Sequence, residues 1–125
     1  MASILSFASR VFRTRDPSRD AATDRDRLMT VRSSIVAAID SARRERAGLQ
    51  TRVDNYFASA SHILDQADFA GRSADDEASI VEAERQGSAG LRRIATIDAQ
   101  IERLNDVLTY FDDQDLHRVA VAVHQ

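Results

Sequence analysis

Two long segments of this chain carry apolar residues at alternating steps of four and three, and one short stretch lies between them, Asp68-Phe69-Ala70-Gly71-Arg72-Ser73-Ala74-Asp75. In the first segment the steps run Leu28, Arg32, Ile35, Ile39, Ala42, Arg46, Leu49, Val53, Tyr56, Ala60, Ile63, Ala67. Ten of these twelve positions are apolar or aromatic, which is the seam of a coiled coil. The second segment is strongest at Leu91, Ile94, Ile97, Ile101, Leu104, Leu108 and Phe111 and only weakly patterned before Gln86. Two helical stripes around one turn predict an all-α fold, a long antiparallel helical hairpin spanning residues 20–113 with its turn near 68–74.

A turn centred near residue 70 makes paired residue numbers sum to about 140. Leu28 then sits beside Phe111, Ile35 beside Leu104, Ala42 beside Ile97 and Leu49 beside Leu91, with Gly48 level with Gly90. Gly87 and Gly90 each cost about 1 kcal/mol against alanine inside a helix, so a kink or break is expected between them. Val31, Val36, Phe57 and Leu64 lie beside the seam and widen the stripe beyond what one partner helix covers. They are the expected partner interface. A lone hairpin buries one narrow seam, so a third segment or a second copy is expected to complete a bundle.

Residues 1–15 form a separate short amphipathic helix ahead of Asp16-Pro17. Ile4, Leu5, Phe7, Ala8, Val11 and Phe12 share one side, and Arg10 and Arg13 lie on the other with three serines. With no acid before Asp16, this segment suits an anionic membrane surface, a targeting peptide of the arginine-rich type, or a fold-back onto apolar surface of the chain itself. Residues 16–20 read as a linker and helix start, with Ser18 or Asp20 as the expected cap. The tail, 114–125, alternates like a strand but has no partner, and reads as a frayed helix or a third packing segment.

Composition removes many activities. There is no cysteine and no lysine among the 125 residues, so thiol nucleophiles, zinc–thiolate sites, Schiff-base chemistry and P-loops are excluded. His62, His117 and His124 are scattered, and no metal-binding, dinucleotide-binding or nucleophile-elbow spacing is present. The expectation is therefore a non-enzymatic protein with no catalytic residue, metal, cofactor or small-molecule substrate. Charge is segregated: up to Arg52 there are 11 arginines against 6 acids, and beyond it 6 arginines against 14 acids. A net charge of −3 argues against a dedicated nucleic-acid binder. On the hairpin, Arg43, Arg44, Arg46, Arg52, Arg85, Arg92 and Arg93 come level as a basic waist, while Asp65, Asp68, Asp75, Asp76 and Glu77 gather at an acidic tip.

That tip, Asp65-Gln66-Ala67-Asp68 followed by an acidic helix start, resembles the coiled-coil tip of DksA-type regulators. The resemblance covers the hairpin alone, lacks a cysteine zinc site, and has Phe69 and Gly71 where the family tip is more compact. It implies a transcription regulator that inserts the tip into RNA polymerase. The reading from the residues themselves is a helical-hairpin scaffold that oligomerises or docks on a protein partner. Its residues 1–15 would serve as a membrane or partner anchor, and the expected location is the cytoplasm, with peripheral membrane association. Nothing reaches the roughly 20 apolar residues of a transmembrane span.

Overall fold

The computed structural model describes residues 16–66 and 69–124, and it is built from two long helices. Helix α1 spans Pro17–Gln66, a 3₁₀ turn spans Phe69–Gly71, and helix α2 spans Ala74–His124. No strand occurs among the described residues. The proposed helix 1–15, with its anchor residues, and Asp68 of the tip lie outside the described residues. The chain divides into two compact units at Ile35–Val36.

In the first unit, α1 starts with a cap that differs from expectation. Asp16, rather than Ser18 or Asp20, accepts a hydrogen bond from the Ser18 amide at 2.9 Å through Oδ1, and its carbonyl accepts from the Asp20 amide at 3.0 Å. Pro17 then occupies the first helical position, where its missing N–H leaves no bond unmade. Thr23, Thr30 and Ser34 return their hydroxyls to carbonyls four residues back, which keeps these weak helix formers inside the helix. Met29 and Val31 are about half exposed here.

The second unit holds the hairpin. Its buried core runs along one seam: Ile39, Ala42, Val53 and Ala60 from α1, and Ile80, Ala83, Ile94 and Ile97 from α2. Phe57 lies against Gly87 and Val53 against Gly90, and Arg46 pairs with Asp98, so facing residues have numbers summing to 143 or 144. The register is therefore about one helical turn away from a sum of 140. Leu49 faces the level of Ile94 instead of Leu91, and Leu91 is 45% exposed.

The glycines explain the register. Gly87 and Gly90 stand at seam positions, in step with Ile80, Ala83, Ile94, Ile97 and Ile101. A Cβ on Gly87 would come within 2.7 Å of the Phe57 ring, and one on Gly90 would overlap the Val53 side chain. The missing side chains on α2 are the holes that receive Phe57 and Val53 from α1, a knobs-into-holes fit that outweighs the local propensity cost. Hence α2 is continuous through both glycines, contrary to the expected kink. Gly48 does not meet them: it is exposed with open space around it. The tail is the last part of α2 as far as His124, neither a strand nor a separate segment.

Ser73 caps α2. Its Oγ accepts from the Asp76 amide at 3.0 Å while its own amide reaches Asp76 Oδ2 at 3.5 Å, a reciprocal box at the helix start. Asp75, Asp76 and Glu77 place negative charge on the first turn, where the helix dipole favours it.

Candidate functional site

At the waist of the hairpin one face is notched. Val53 fills the hole at Gly90, and the adjacent residue on α2, Ala89, supplies only a methyl. Between Leu49 and Tyr56 on α1 this leaves an open groove of about 310 Å³. Its floor is apolar, from Leu49, Val53, Ala89 and Gly90, and its rim is polar, from Arg52, Gln86 and Arg93. That volume is at the low end for a ligand pocket, and the groove is open where such pockets enclose most of the ligand. It fits side chains presented from another surface.

Ion pairs brace the waist on both sides of the seam. Arg93 reaches Glu45 through Nε at 3.0 Å and Nη2 at 3.3 Å. Arg46 reaches Asp98 through Nε at 2.5 Å and Nη2 at 3.3 Å. The hydrogen bond that Arg46 donates to Asp98, with the negative charge of that carboxylate, holds the Arg46 guanidinium still further on the protonated side of its ordinary range. Each pair is solvent-accessible and contributes little stability, typically under about 1 kcal/mol. Both would be broken by a slip of one turn, so their effect is on register. Arg46 thus explains how a charge is tolerated at a seam position.

Of the residues expected at a partner interface, Val31 and Leu64 are 52% and 44% exposed, and Val36 is half-buried. Phe57 is different: its ring fills the hole at Gly87, inside the hairpin. At the tip, Asp65 and Asp75 are exposed, whereas Asp76 is engaged in the Ser73 cap. Glu77 Oε1 lies 2.7 Å from Arg72 Nε, an ion pair out of line for a hydrogen bond, with Arg72 largely buried. The tip acids are therefore not one free cluster, and two of them belong to the turn itself.

No described group of three or more histidine, aspartate or glutamate side chains converges as a metal site. The notch was the feature missed from sequence, although its signal was present. Counting back from Ile101 through Ile97 and Ile94 in threes and fours lands on Gly90 and Gly87; choosing Leu91 required two successive steps of three. No protein-family model, curated protein or solved structure matches this chain.

Proposed function

We propose that this chain is a non-enzymatic interaction protein, a helical hairpin that works by packing its notched and half-exposed faces against another protein surface. The supporting observation is the imbalance of its apolar residues. One seam holds the buried core, while Tyr56 beside the notch, together with Leu64, Val81 and Leu91, remains 38–56% exposed. Tyr56 lines the polar-rimmed groove, and Leu64, Val81 and Leu91 leave apolar surface outside it; exposed apolar residues of this size support a protein–protein contact. Asp76 and Glu77 being tied into the turn weakens the alternative of a polymerase-directed acidic tip.

Residues 1–15 add an anchor in this reading, toward an anionic membrane or toward the same partner. Among the described residues no helix is long and apolar enough to cross a membrane, so a membrane contact would be made at the surface by the amphipathic segment. A photo-crosslinking amino acid in place of Tyr56, Leu64 or Leu91 should give defined protein adducts in cells. The same residue at Thr51, on the outer face of α1, should not. Adducts no more frequent at the three apolar sites than at Thr51 would discard the reading.

A further inference from the structure

We draw no further inference here: the strongest candidate, the open groove at the waist of the hairpin between Leu49 and Tyr56 with Arg52 at its rim, carries nothing beyond the reading above because nothing in the structure shows what covers it.

Discussion

Replacing each helical glycine by alanine separates propensity from packing within one protein. Gly48 has open space where a Cβ would be, so Gly48→Ala should stabilise by about 1 kcal/mol, the propensity difference alone. For a helical domain of this size that raises the melting temperature by about 4 °C. At Gly90 the added methyl overlaps the Val53 side chain, which is 2% exposed and cannot swing away. Overpacking of this kind costs about 1–3 kcal/mol, and subtracting the propensity gain leaves a net loss of up to about 2 kcal/mol. Gly87→Ala falls between, because its Cβ meets the far end of the Phe57 ring, which can tilt. Urea titration followed at the helix band, at one fixed protein concentration because association adds to apparent stability, gives the three values. Val53→Ala should then erase the penalty in the Gly90→Ala background although it is itself destabilising, a coupling that a double-mutant cycle reads directly. If Gly90→Ala stabilises as much as Gly48→Ala, the knobs-into-holes account of the waist is wrong.

The corrected seam makes Leu91→Gln nearly silent in the same titration, within about 0.5 kcal/mol, whereas Ile97→Ala, at a position 1% exposed, should cost about 2–5 kcal/mol; equal losses would return Leu91 to the seam. Ser73→Ala removes the cap of α2 and should cost about 1 kcal/mol by the same measure, and a loss near zero would show that the turn holds without it. In liposome flotation with anionic vesicles, Phe7→Asp or Phe12→Asp should abolish co-flotation, and an intact protein that never floats would remove the membrane anchor.

The seam of α1 is legible because its apolar residues keep one phase from Leu28 to Ile63. Ile39, Ala42, Val53 and Ala60 are buried where the period places them. On α2 the period and the hydrophobicity disagree at one level, where the larger residue stands out of phase. Leu91 has the side chain, but Gly90 has the position. The seam rewards complementary volume, and a glycine facing Val53 satisfies it better than a leucine would. The register error followed, since a turn length read from loop composition is less exact than interlocked side chains. The notch is illegible for a related reason: residues of both helices border it, and it becomes a surface feature only once the opposing helix is in place. The Asp16 cap is hard to read from sequence because the side chain that closes the helix stands before the proline, ahead of the acids of the first turns.

The reciprocal box at Ser73 has a consequence for the order in which this chain acquires its structure. Ala60 and Ile80, near the turn, are 20 residues apart, while Arg46 and Asp98 are 52 apart. Closing the longer loop first costs roughly 0.8 kcal/mol more in chain entropy, and much more if the ends must also meet in the right phase. Once the tip is formed, each further level needs only a few added residues on each side. Folding should therefore zip from the tip outward, with Ser73→Ala slowing refolding and waist substitutions such as Ile97→Ala acting mainly on the unfolding rate. A helix cap on the surface of the molecule would thus govern how fast a seam that reaches Ile97, about 36 Å along the helix, is sealed.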